Sequence, residues 1–205
     1  MKELGLTAFA AIIGFIGSLL AEGVQRWVYG PRLQLTFENN NEAFRAPTDI
    51  GIPKNADGIY IRLRVENVKP RIAKACRAYL TRVEQRVGNV WQDTNFRDST
   101  QLYWSAQQQN ALLPMDLARG VRQFVDLLYV LNPLPGVVHP LNPRHLHPSL
   151  AIELFLYAHI WATENANYRL TVLVSGDGVK PVSHRVIVEW RGVWNQINVR
   201  DGGAG

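Results

Sequence analysis

The sequence predicts an all-β protein: an antiparallel sandwich of about eight strands preceded by one N-terminal transmembrane helix. Three observations carry that expectation. Leu4 to Ala21 runs for 18 residues without a charge. After Pro31 the hydrophobic period changes from helical to two. Turn residues then break the alternating segments at short intervals. Of the 205 residues 47% are hydrophobic and 19% charged, enough apolar material for one packed core and too little charge for a disordered chain. Cys76 is the single cysteine, which excludes an internal disulfide and any site needing two thiolates from this chain. The expected division is an anchor helix with its interfacial end over 1–30, a sandwich over 31–200 and a frayed glycine-rich tail over 201–205.

In the anchor, helix from Leu4 to Val28, stopped by Gly30-Pro31, would reach roughly 37 Å, the hydrocarbon and one interface. Arg26, Trp27 and Tyr29 stand where it would emerge, and amphipathic rings beside a cation suit that depth. A cleaved signal peptide fits worse, because cutting after Ala21 or Ser18 puts Leu19 or Ile16 at the −3 position, where a small residue is required. Ala10, Gly14 and Ser18 form a small-residue stripe at four-residue spacing that would admit a second helix and so allow self-association, the second account behind the simpler one. That simpler account is that such residues are common in any membrane helix. Lys2 precedes the span and Arg26 and Arg32 follow it, which favours a cytoplasmic C-terminal domain at a bacterial inner membrane. The lone Cys76 and the absence of an Asn-x-Ser/Thr acceptor lean the same way.

The strands follow in order. Leu33, Leu35 and Phe37 alternate with polar residues, and so do Ile59, Ile61, Leu63 and Val65. Cys76, Ala78 and Leu80 share a face opposite Arg77, Tyr79 and Thr81, and a short apolar piece returns at Leu102 to Trp104. Gln123 to Leu131 is apolar on both parities except at Asp126, as in a strand covered on both sides. Leu150 to Ile160, Tyr168 to Val174 and His184 to Trp190 are further alternating faces. Gly176-Asp177-Gly178 supplies the turn between the last two. Asn39 to Gly58, Gly88 to Gln101, Ser105 to Gly120 and Asn132 to Pro148 read as long loops, which are functional or mobile when present in excess.

The run Tyr60-Ile-Arg-Leu-Arg-Val-Glu-Asn67, followed by Ala73, Ala75-Cys76 and Tyr79-Leu80, resembles the immunoglobulin-like domains of the bacterial CARDB type. Those domains place an Asn at a strand end before a turn. They usually follow it with Gly, where this chain has Val68-Lys69-Pro70, so the turn must differ. The closing stretch from Tyr168 to Trp194 also looks like bacterial membrane-anchored proteins of unknown function. The resemblance implies a fold and a role in adhesion or interaction, and transfers no catalytic residue.

Charge is concentrated. Eight of the 22 basic residues lie between Arg62 and Arg86 against Glu66 and Glu84. Strand alternation predicts that Arg62, Arg64 and Arg77 face solvent together, with Lys69, Arg71, Lys74 and Tyr79 nearby, as a contact for a polyanion or another partner. The simplest account is a solvated sheet face. Anionic lipid is the next, and nucleic acid is disfavoured because Tyr79 is the single interleaved aromatic and no helix is available for a groove.

Catalytic signatures are mostly missing. His139, His145 and His147 form the best ligand cluster, but Pro140, Pro143 and Pro148 explain that stretch as a stiff connection without an ion, so no metal or other cofactor is expected. The chain has no nucleophile elbow, phosphate loop or His-Glu-x-x-His. Cys76 shares its parity with Ala78 and Leu80 and should be a buried, inert thiol. The leading expectation is a single-pass, non-enzymatic interaction module that binds a protein partner through sandwich loops. The alternatives are a tethered binder of anionic lipid or nucleic acid through the Arg62 to Arg86 region, and a metal-dependent hydrolase built on His139 to His147.

Overall fold

A computed structural model of the chain describes residues 30–39, 41–49, 57–94, 96, 99–105, 112–131, 149–151, 166–191 and 196–205. The expected anchor, with Ala10, Gly14, Ser18, Arg26, Trp27 and Tyr29, lies outside them, as do His139, His145 and His147. No helix among the described residues is long and apolar enough to cross a membrane.

Thirteen strands follow one another among the described residues. The first seven are β1 (Leu33–Thr36), β2 (Arg45–Asp49), β3 (Asp57–Asn67), β4 (Ala73–Val87), β5 (Val90–Asp93), β6 (Thr100–Gln101) and β7 (Tyr103–Trp104). The rest are β8 (Met115–Leu117), β9 (Arg122–Leu131), β10 (Ser149–Ala151), β11 (Ala166–Asp177), β12 (Val179–Trp190) and β13 (Asn198–Ala204). They form two antiparallel sheets. One runs β1-β3-β9-β10, with β2 also on β3 and β7 also on β9; the other runs β13-β12-β11-β4-β5, with β6 and β8 also on β4. The two sheets pack as an all-β sandwich around a single core, to which Ile61, Leu63 and Val125 come from one side and Leu80, Leu170 and Val188 from the other. Alternation puts these side chains there: along β11 and the end of β12, every second residue is buried.

The extra strands lie in stretches that read as loops. These short segments show no sustained apolar alternation, so β2, β5, β6 and β8 are visible only through their partners. The turn into β5 takes two residues, Val87 pairing with Val90 across Gly88-Asn89. Gly88 has φ 60°, the left-handed value that such a hairpin requires at its first central position.

The tail corrects a composition-based expectation. Instead of fraying, residues 201–204 complete β13, which pairs with β12 from Glu189↔Asn198 to His184↔Ala204. Glycine there serves close approach: a Cβ on Gly202 would stand 2.9 Å from the Arg185 carbonyl oxygen. Gly203, with φ +82°, carries the register shift between His184 and Val186.

Candidate functional site

At one end of the sandwich three short pieces of chain meet. The chain enters β1 at Arg32, passes from β3 to β4 through 68–72, and passes from β8 to β9 through 118–121. Asn67 binds these pieces together. Its side chain is fully buried, its Oδ1 accepts from the backbone N–H of Arg32 at 3.3 Å and of Lys69 at 3.2 Å, and its Nδ2 donates to the carbonyls of Arg71 at 2.6 Å and Leu117 at 2.9 Å. Its own carbonyl accepts from Gly120 at 2.9 Å. An amide has two donors and two acceptor lone pairs, so this side chain is saturated. The Asn at the strand end is thus a knot between the entry of β1 and two crossovers from one sheet to the other.

The opposite end differs. By register, β3 begins there, β9 ends there and β11 begins there. The segments 50–56 and 132–148 leave and rejoin the strands at that end, and 152–165, which follows Ala151 of β10, rejoins there at Ala166.

The basic stretch does not form one face. Arg62 and Arg64 stand on β3, while Arg77 and Tyr79 stand on β4 of the other sheet. The outer faces of two packed sheets look in opposite directions, so these residues are separated by the thickness of the sandwich. Sequence alternation cannot reveal this, because it is the 68–72 crossover that divides them. Arg62 is also engaged, its Nε 2.9 Å from Asp126 Oδ1 and its guanidinium 5.7 Å from the centre of the Tyr60 ring. Arg64 donates to Thr36 Oγ1 at 3.0 Å, pairs with Glu38 at 3.2 Å and lies over Phe44. Arg77 and Lys74 are exposed on β4.

The outer face of the β4 sheet holds an arrangement the sequence did not announce. Glu84, only 2% exposed, receives two hydrogen bonds from Arg169, one of them at 2.6 Å, and Arg82 stands 3.7 Å away. Arg82 in turn makes a two-pronged pair with Asp93, at 2.6 and 2.9 Å. The Arg169 guanidinium lies 4.8 Å from the centre of the Trp91 ring. The hydrogen bonds from Arg169 hold the Glu84 carboxyl below its usual range against the opposing effect of burial. Those from Arg82 do the same for Asp93. The pairing Arg169↔Glu84 joins residues 85 apart in sequence, and a register shift in β4 beside Thr171/Val172 aims Arg82 and Glu84 outward. The charges of this ladder are spent on one another.

Cys76 is fully buried, and burial together with Asp116 and Asp177 pushes its thiol up to about 11. At neutral pH it is the protonated, unreactive form. His184 is buried with Nε2 3.0 Å from Asp201 Oδ1, and burial holds its pKa below the ordinary value in spite of that carboxylate. Among the described residues no group of three or more His, Cys, Asp or Glu could hold a metal ion. Comparison with protein-family models, with curated proteins and with solved structures finds no match for this chain.

Proposed function

We propose that the chain is a membrane-anchored, non-enzymatic interaction module of bacterial origin, held by residues 1–30 and binding a protein partner through the long segments of an immunoglobulin-like sandwich of the CARDB type. One observation carries the reading. The chain arrives from the apolar N-terminal stretch at Arg32, on the end of the 68–72 and 118–121 connections, and the segments 50–56 and 132–148 depart from the other end. A domain so oriented would present those segments away from its tether, where a rigid sandwich displays recognition loops. The strand order supports the immunoglobulin-like part of the proposal. β1-β3-β9-β7 and β12-β11-β4 follow the A-B-E-D and G-F-C orders of that architecture, with β4 crossing from β3 as strand C does from B.

The experiment is site-specific photocrosslinking of the full chain in its native membrane. A photoreactive residue at position 53, 140 or 158 should give a discrete protein adduct, and one at position 187 on the β12 face should not. Extraction of the chain by alkaline carbonate would sink the anchor. Absence of an adduct at all three loop positions would sink the partner.

A further inference from the structure

We infer that the tethered end of the sandwich is a seat for anionic lipid headgroups, contacted by Lys69, Arg71 and Arg119 with Ile72 and Val121 set among them. The inference rests on the proposed anchor, because it is the entry of the chain at Arg32 that brings this end to the membrane. Lys69, Arg71 and Ile72 belong to the 68–72 crossover, and Arg119 and Val121 to the 118–121 connection. Asn67 ties both to the backbone of Arg32, through Arg71 O, Leu117 O and the Arg32 N–H. Three cations far apart in sequence are therefore held on one rigid end within a few residues of the point where the apolar N-terminal stretch would leave a bilayer.

Among the described residues no carboxylate pairs with Lys69, Arg71 or Arg119, in contrast to Arg62, Arg64, Arg82 and Arg169 on the sheet faces. The nearby acids are otherwise engaged: Glu66 pairs with Arg122 at 3.2 Å, Asp116 accepts from the Ala75 N–H at 2.8 Å, and Asp177 stands opposite Lys74. Ile72 is 51% exposed and Val121 36%, so this end offers aliphatic surface beside its cations. Cations around exposed aliphatics match the headgroup layer of an acidic leaflet, whose potential favours each well-placed cation by about fivefold in the equilibrium. This assignment keeps Lys69 and Arg71 from the basic stretch, adds Arg119, and leaves out Arg62, Arg64, Arg77 and Tyr79, which lie on the two outer faces.

The test uses the full chain with a Val121→Cys substitution carrying an environment-sensitive dye, Cys76 being buried and left unlabelled. It is reconstituted with vesicles of phosphatidylcholine alone or with about 30% phosphatidylglycerol, a lipid fraction at which surface potential is substantial. Supporting results are flotation with both compositions, a blue shift of the dye in the anionic vesicles alone, reversal by 0.5 M salt, and loss of the shift in the Lys69→Glu/Arg71→Glu/Arg119→Glu variant. That triple change should weaken the contact on the order of a hundredfold. Unchanged circular dichroism would show that the variant folds; a second variant, Arg62→Glu/Arg77→Glu, should keep the shift. Flotation with both compositions but an indifferent dye overturns the seat and leaves the anchor. Flotation with anionic vesicles alone, released by salt, overturns the anchor and leaves the seat. Comparable affinity for polyuridine without vesicles would reassign this end to nucleic acid and overturn the proposal.

Discussion

Replacing Asn67 with Ala should cost more stability than any other single polar deletion at the end where β1 enters. The native side chain serves four backbone groups, at 3.3, 3.2, 2.6 and 2.9 Å. Of these bonds the one to Leu117 is fully buried, and the other three are partly buried, so water can replace some of what is lost. Counting about 1–3 kcal/mol for the buried orphaned carbonyl and about half that or less for each of the others gives roughly 3–5 kcal/mol. For a chain of this size that corresponds to a fall in Tm of about 10 °C. Thermal unfolding of the full chain in detergent, followed by circular dichroism, measures it. Asn67→Asp discriminates the cause, because it keeps the acceptor to Arg32 and Lys69 and turns the donor toward Arg71 and Leu117 into a second acceptor. A buried carboxylate facing two carbonyls favours its protonated form, so this variant should regain stability as the pH is lowered from 7 to 5. A fall of less than about 2 °C for Asn67→Ala, or an Asn67→Asp variant indifferent to pH, would refute the knot.

Four other outcomes follow from the same structure. Arg169→Ala leaves the nearly buried Glu84 carboxylate with only Arg82 at 3.7 Å, and should cost about 2–3 kcal/mol in denaturant unfolding. Since the Glu84 pKa is lowered on folding, its contribution is complete above the ordinary carboxylate value of 4.5 and is lost as the pH falls through the lower folded value; Glu84→Gln should flatten that acid limb of the stability profile. Cys76 should resist a thiol reagent at pH 8 in the native protein and react at the rate of a free thiol once urea unfolds it, because burial raises its pKa to about 11. Ala75 holds φ 49°, a left-handed conformation that strains any side chain, so Ala75→Gly should raise stability by about 0.5–1 kcal/mol in the same melts.

Much of the scaffold was legible before any coordinates. Alternation at Ile61, Leu63 and Val65, at Cys76, Ala78 and Leu80, and along Tyr168 to Val174 marks the faces that are buried, because a strand has only two sides and one of them must meet the core. The Gly176-Asp177-Gly178 turn was equally plain, Gly178 adopting φ +66° between β11 and β12. The tail departs from the frayed end its composition predicts, because composition records how permissive glycine is and not which backbone it packs against.

The candidate site divides along the same line. The amino-acid sequence alone determined the membrane-length apolar run, the period-two body and the excess of cations between Arg62 and Arg86. It could not say which cations meet. That depends on the crossover at 68–72, which sends neighbouring strands into different sheets, and on Asn67, which draws Arg32, Arg71 and the chain before Arg119 to one corner. Local period follows from the geometry of a single strand, whereas the companionship of Glu84 with Arg169, 85 residues away, exists only after two strands have chosen a register.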